Sequence, residues 1–199
     1  MEMETQYQKY MKLPIEKQVD KYGFNTGAEL GGGSYSTVYL GRDMGTGEPV
    51  AIKMVSKSII QDEYLKNCLI GEINLMKGLD HPNLVKFYNC FETEKNIYII
   101  IEYCNGKSLR DYLKRKVQLG EAECVRIIRQ VINGYEELLR HGILHRDIKP
   151  ENVVIHDGVY KICDFGFAKK VADSKALNIS ILGSPLYMAP QVMEGIYYT

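Results

Sequence analysis

Two apolar, β-branched-rich runs, Val153 to His156 and Val159 to Cys163, are joined by Asp157-Gly158, and this feature constrains the fold most. Asp-Gly suits a two-residue type I′ turn, in which both central residues take positive φ. Pairing His156 with Val159 and counting back down the ladder puts Asn152 opposite Cys163, one residue from Asp164. An amide and a carboxylate then share the open end of a hairpin, within the roughly 5 Å that separates cross-strand neighbours. Hard oxygen ligands placed this way suit magnesium held jointly by protein and phosphate. Asp147, five residues before Asn152, brings a second carboxylate to the same place. The pattern describes a phosphate-and-metal centre.

The first half offers matching pieces with open readings. Leu30-Gly31-Gly32-Gly33-Ser34-Tyr35-Ser36-Thr37-Val38 sets glycines between an apolar approach and a strand-like run. Glycine lets backbone N–H groups approach phosphate oxygens, but a bland hairpin turn fits equally. A dinucleotide fold would need a helix after the glycines, and a Walker loop would need Gly-Lys-Ser/Thr; neither is present. Val50 to Val55 alternates as a strand with Ala51, Lys53 and Val55 on one face. Lys53 is either an edge lysine reaching for water or the partner of a buried acid. From Asp62 to Leu79 a helical stripe of Leu65, Leu69, Ile73, Met76 and Leu79 has Glu72 in its middle. A carboxylate on a core face needs a cation, and Lys53 is the evident one. Leu84 to Phe91 and Asn96 to Tyr103 are two further expected strands. Glu121 to His141 is an expected helix, with Cys124, Val125, Ile128, Val131, Ile132, Tyr135, Leu138 and Leu139 on its apolar side.

Composition excludes several classes. The 199 residues carry 25 basic and 25 acidic side chains, so charge makes no case for nucleic acid as main partner. The longest aliphatic run is Ile99-Ile100-Ile101, far short of the roughly 20 apolar residues that cross a bilayer. Residues 1–21 lack the apolar stretch of a secretory signal. Five cysteines, an odd number without a Cys-x-x-Cys pair, fit reduced thiols in the cytoplasm.

His145-Arg146-Asp147-Ile148-Lys149-Pro150-Glu151-Asn152 followed by Asp164-Phe165-Gly166 resembles the catalytic loop and metal-binding triplet of eukaryotic serine/threonine protein kinases. The resemblance runs from about Tyr22 to the last residue. It implies an α+β, bilobal fold: an extension over 1–21, an N-lobe over 22–103 with a small antiparallel sheet and one helix, and a mainly helical C-lobe over 104–199. That C-lobe is expected to be incomplete, because about the last third of the family's fold has no sequence here. ATP and Mg2+ are the implied cofactors and a protein the implied substrate.

Residue by residue, the resemblance implies that Asp147 is the general base and that Lys149 meets the transferring phosphoryl group. Asn152 and Asp164 would hold magnesium. Leu30 to Val38 would cover the phosphates, with Ser36 standing where the family has its third glycine. Lys53, fixed by Glu72, would hold the α- and β-phosphates. The backbone of Glu102 and Cys104 would bind the adenine edge, with Ala51, Val38 and Val154 sandwiching its ring. His145 and Phe165 would pack rather than react. Arg146 before Asp147 implies control by phosphorylation of the activation segment by an upstream kinase. Ser180 is the expected acceptor by its spacing from Gly183, ahead of Ser174 and Ser184, and Ser184 is expected instead to contact Asp147 and Lys149. Asp164-Phe165-Gly166-Phe167-Ala168-Lys169 with Gly183-Ser184-Pro185-Leu186-Tyr187-Met188-Ala189-Pro190 is similar to Unc-51-like, autophagy-type kinases. Gln191 replaces the glutamate of the family's Ala-Pro-Glu. The competing function is a catalytically silent ATP-binding or interaction module.

Overall fold

The computed structural model describes residues 2–33, 36–60, 63–116, 118–166, 168–170 and 183–195. Contacts divide the chain into two compact units, residues 1–67 with 86–105, and residues 68–85 with 106–199. The later stretch of the first unit ends at Asn105, and the second unit resumes at Gly106. The stretch 68–85 groups with the second unit, where Asn83 Nδ2 donates to the Tyr160 carbonyl (2.9 Å) and Leu84 bridges Ile162.

The first unit opens with helix α1, Glu2–Met11, and is built on a six-stranded antiparallel sheet. Its strands are β1 Lys17–Val19, β2 Tyr22–Gly32, β3 Ser36–Asp43, β4 Pro49–Ser56, β5 Phe87–Glu92 and β6 Asn96–Glu102. They lie in the order β1-β2-β3-β4-β6-β5. Tyr22, Phe24, Tyr39, Val50, Ile52, Tyr98 and Ile100 form a closed cluster, with the Phe24 ring 5.4 Å from Tyr39 and 6.1 Å from Tyr98. Each such side chain contributes about 1.5–3 kcal/mol by leaving water. This cluster takes Val50 and Ile52 from β4, while Ala51 and Val55 are buried on the opposite pleat, so both faces of the strand are covered.

Helix α2, Glu63–Lys77, buries Leu69, Ile73 and Met76, and Glu72 is buried among them at 5% exposure. The second unit continues with α3 Leu109–Arg115 and α4 Glu121–Arg140. Strands β7 Ile143–Leu144, β8 Val153–His156, β9 Val159–Ile162 and β10 Lys169–Lys170 follow, and then α5 Pro190–Met193. Ser108 caps α3, its hydroxyl accepting from the Asp111 N–H at 3.2 Å. Leu109, Ile127, Val153 and Tyr160 form one α/β cluster of this unit's core.

The apolar side expected for α4 is corrected by the structure. Ile127, Gly134 and Leu138 are buried, whereas Val125, Ile128, Ile132 and Leu139 are 46–57% exposed. Gly134 decides the contact face: a Cβ there would meet the Asn83 carbonyl oxygen at 2.6 Å, so the helix presses its backbone onto residue 83. The apolar arc is wider than the surface it packs on, and periodicity alone could not say which part would be covered.

Candidate active site

The hairpin forms in the expected register. His156 pairs with Val159 and Val153 with Ile162, and the Cys163 N–H donates to the Asn152 carbonyl at 2.9 Å. Asp157 and Gly158 take φ of +47° and +79°, the left-handed pair a type I′ turn requires. Asn152 closes a short 3-10 turn, Pro150–Asn152, which sends its side chain back toward the preceding loop.

Asp147 is the hub of that loop. Its Oδ2 accepts from Lys149 Nζ at 2.7 Å and from Asn152 Nδ2 at 2.9 Å, and its Oδ1 accepts from the Ser184 N–H at 2.9 Å. Asn152 Nδ2 also donates to the Asp147 carbonyl at 2.9 Å, so one amide fixes both backbone and side chain. Lys149 Nζ donates to Ser184 Oγ at 2.7 Å, placing Ser184 against both expected partners. Burial alone would raise the Asp147 carboxyl, but Lys149, the Ser184 N–H and Asn152 together hold it below the ordinary carboxylate range. Asp147 is therefore an ionised acceptor at neutral pH. It borders a hollow of about 240 Å³ lined also by Tyr135, Leu144, Tyr187, Met188 and Val192.

His145 serves packing. It is fully buried, its ring 5.3 Å from that of Phe165, itself 1% exposed. The Asp147 N–H can only donate, so His145 Nδ1, at 3.3 Å, accepts, and Nε2–H points to the Cys163 carbonyl at 3.1 Å. Both ring nitrogens are committed in the neutral tautomer. Burial pushes the imidazole below its usual pKa, with the Cys163 carbonyl opposing. A depressed folded pKa means the unfolded chain binds the proton first, so this stabilisation is full above about 6.5 and is lost as pH falls through the lower folded value. Thermal midpoints measured from pH 8 down to 5 are expected to fall below pH 6.5, and His145→Phe should flatten that slope.

Asn152 spends its NH2 on Asp147, so its amide oxygen is the atom it can offer a cation. Asp164, exposed and at φ +62°, supplies a carboxylate just past the hairpin's other strand. Both are hard donors of the type magnesium takes. Glu72 Oε2 lies 3.9 Å from where a Cβ on Gly166 would stand, so the buried acid of α2 neighbours this triplet.

In the first unit, Gly31 pairs with Val38 and Gly32 with Thr37, and the Gly33 N–H donates to the Ser36 carbonyl at 2.8 Å. A Cβ added at Gly31 or Gly33 would meet nothing within 4 Å, so these glycines present bare backbone to open space. Ser34, Tyr35 and Ser180 lie outside the described residues. Val38 pairs with Lys53, and Lys53 with Ile99, on adjacent strands. Leu40 pairs with Ala51, and Ala51 with Ile101 one residue before Glu102. Cys104 follows in the same unit, while Val154, on β8, and Glu72 belong to the second.

The sequence matches the protein kinase domain over residues 24–199. This chain belongs to the protein kinase domain family. It is 36% identical over 197 residues to serine/threonine-protein kinase unc-51 of Caenorhabditis elegans, covering 92% of this chain and 23% of that protein. It is 34% identical over 176 residues to serine/threonine-protein kinase ATG1a of Arabidopsis thaliana, covering 86% and 28%. To the SNF1-related protein kinase catalytic subunit alpha KIN12 of the same plant it is 37% identical over 176 residues, covering 88% and 35%. The chain thus spans between about a quarter and a third of these relatives' length. The family accounts for the two-unit architecture.

Two features escaped the motifs. Gly183, at φ +118°, packs so closely on the Arg146 carbonyl that a Cβ there would stand under 3.0 Å from its oxygen. Its motif was visible but the contact spans 37 residues of sequence and carries no local signal. Helix α1 was also unread; Tyr7, Tyr10 and Met11, spaced by three and four, were the available cue.

Proposed function

We propose that this chain is the catalytic domain of an ATP-dependent serine/threonine protein kinase. The observation that carries the reading is the Asp147 carboxylate, ionised and clamped by Lys149, Asn152 and Ser184. Asp147 takes the proton of a serine or threonine hydroxyl as that oxygen bonds to the γ-phosphorus of ATP, the bond to the β–γ bridging oxygen breaks, and ADP leaves. Lys149 stabilises negative charge on the moving phosphoryl oxygens, and Ser184 keeps Asp147 and Lys149 in register. Magnesium, when bound, neutralises phosphate charge; Asn152 and Asp164 are the donors we assign to it. Leu30 to Val38, Ala51, Lys53, Glu72, Glu102, Cys104 and Val154 keep their sequence-derived nucleotide roles as parts of this proposal. A reducing cytoplasm suits Cys90, Cys104, Cys124 and Cys163, none of which is in a disulfide. No helix among the described residues is long and apolar enough to cross a membrane.

The test is phosphate transfer from labelled ATP with Mg2+ to a serine-bearing protein, beside thermal shift with the same nucleotide. Transfer supports the enzyme. Stabilisation without transfer would leave only a binding module, and neither effect would remove the reading.

An upstream activating kinase acting on Ser180 belongs to the proposal, supported by Arg146 immediately before Asp147. Ser180→Ala is expected to lower turnover on the order of tenfold or more, the scale of two or three charge-assisted hydrogen bonds. Full activity in a verified unphosphorylated preparation would withdraw the assignment.

A further inference from the structure

Helix α1 is ten residues long, below the roughly 12–15 at which an isolated helix holds in water, so its order depends on what it docks against. It docks at two places in the first unit. The Tyr7 ring stacks on Tyr103, with centroids 5.5 Å apart and planes 20° from parallel. The Tyr10 hydroxyl donates to the Glu29 carbonyl at 3.0 Å and accepts from Gln6 Nε2 at 3.0 Å. Tyr103 stands between Glu102 and Cys104, the backbone assigned above to the adenine edge. Glu29 flanks a bulge in β2 whose displaced residue is Leu30, the start of the glycine run.

The segment that follows is tied down at every step. Arg42 Nη2 donates to the Leu13 carbonyl at 3.3 Å and Asn25 Nδ2 to the Pro14 carbonyl at 2.8 Å. Thr26 gives both its N–H (3.1 Å) and its hydroxyl (2.6 Å) to Glu16 Oε2. Residues 6–16 therefore form a strap along β2 and β3 ending on Tyr103. Burial, and after it the Tyr7 phenol, push the Tyr103 hydroxyl up to about 12, so Tyr103 stays neutral across physiological pH.

We propose that α1 is a positioning element of the nucleotide site, with Tyr7 holding the Glu102–Cys104 segment and Tyr10 holding the glycine strand, so that helix docking and nucleotide binding are linked. This rests on the nucleotide-binding reading above. Linkage is reciprocal: a nucleotide that fixes Tyr103 and the glycine strand favours the docked helix, and the docked helix favours the nucleotide by the same factor. A freely docked ornament would show no such exchange.

The experiment is calorimetric titration of Mg2+-ADP into the full chain and into its Tyr7→Ala and Tyr7→Phe variants, with amide exchange over residues 6–11. Tyr7→Ala is expected to raise Kd on the order of three- to tenfold, the worth of one aromatic pair. Tyr7→Phe, which keeps the stack, should restore it. KM for ATP should rise with Kd while kcat stays within about twofold, and a Tyr103→Leu change on top of Tyr7→Ala should add less than it does alone. In the unmodified chain, Mg2+-ADP should slow exchange at residues 6–11. Equal Kd in all variants, or exchange indifferent to nucleotide, overturns this inference and leaves the nucleotide site standing. A wild-type chain that binds no Mg2+-ADP overturns the nucleotide reading itself and this inference with it.

Discussion

Asp147→Asn is expected to lower turnover by about 10²–10⁴-fold, the range over which positioned general bases act. The replacement has nearly the same shape, so the measurement isolates charge and proton affinity. It also meets a local conflict. Asp147 accepts from Lys149 and Asn152 on one oxygen and from the Ser184 N–H on the other. Whichever way an asparagine amide turns, its NH2 faces a donor. One unmet donor at a buried site costs about 1–3 kcal/mol, so the thermal midpoint should drop by several degrees without loss of the folded state. Nucleotide titration alongside separates the effects: affinity for Mg2+-ATP retained and transfer lost assigns Asp147 to the chemical step. Residual turnover above a tenth of wild type would take that role from it.

Local chemistry made the hairpin legible. Asp157-Gly158 admits few turn types, a two-residue turn fixes register, and register dictates that Asn152 meets Cys163. The same logic reached Glu72, because an acid in the middle of an apolar stripe has few places to go, and it is buried there. Legibility ended where contacts join distant segments. The exposed arc of α4, Val125, Ile128, Ile132 and Leu139, is as apolar in sequence as the buried Ile127 and Leu138. What separates them is the close approach of Gly134 to residue 83, a tertiary fact. Helix α1 was hidden differently: its polar residues outnumber its apolar ones, and its order comes from Tyr103 and Glu29, far along the chain. Nothing within residues 1–21 announces those partners.

Gly183→Ala is the second large effect expected, and it tests whether the end of the activation segment sets the base. At φ +118° an alanine is strained, and its methyl would stand under 3.0 Å from the Arg146 carbonyl oxygen, a backbone atom that cannot swing aside. Arg146 itself is held at φ +65°, so the loop has little freedom to yield. The displacement falls on the next residue, Ser184, whose N–H and hydroxyl meet Asp147 and Lys149 at 2.9 and 2.7 Å. A misplacement of about 1 Å can cost on the order of 10²-fold in rate, and that is the loss expected in kcat. Backbone strain by itself is controlled by Gly47→Ala. Gly47 is also left-handed, at φ +79°, but a Cβ there meets nothing within 4 Å. That variant should lose about 1 kcal/mol of stability and keep its turnover. If both alanines slow the enzyme equally, strain rather than the Arg146 contact is responsible; if Gly183→Ala turns over like wild type, Ser184 does not position the base.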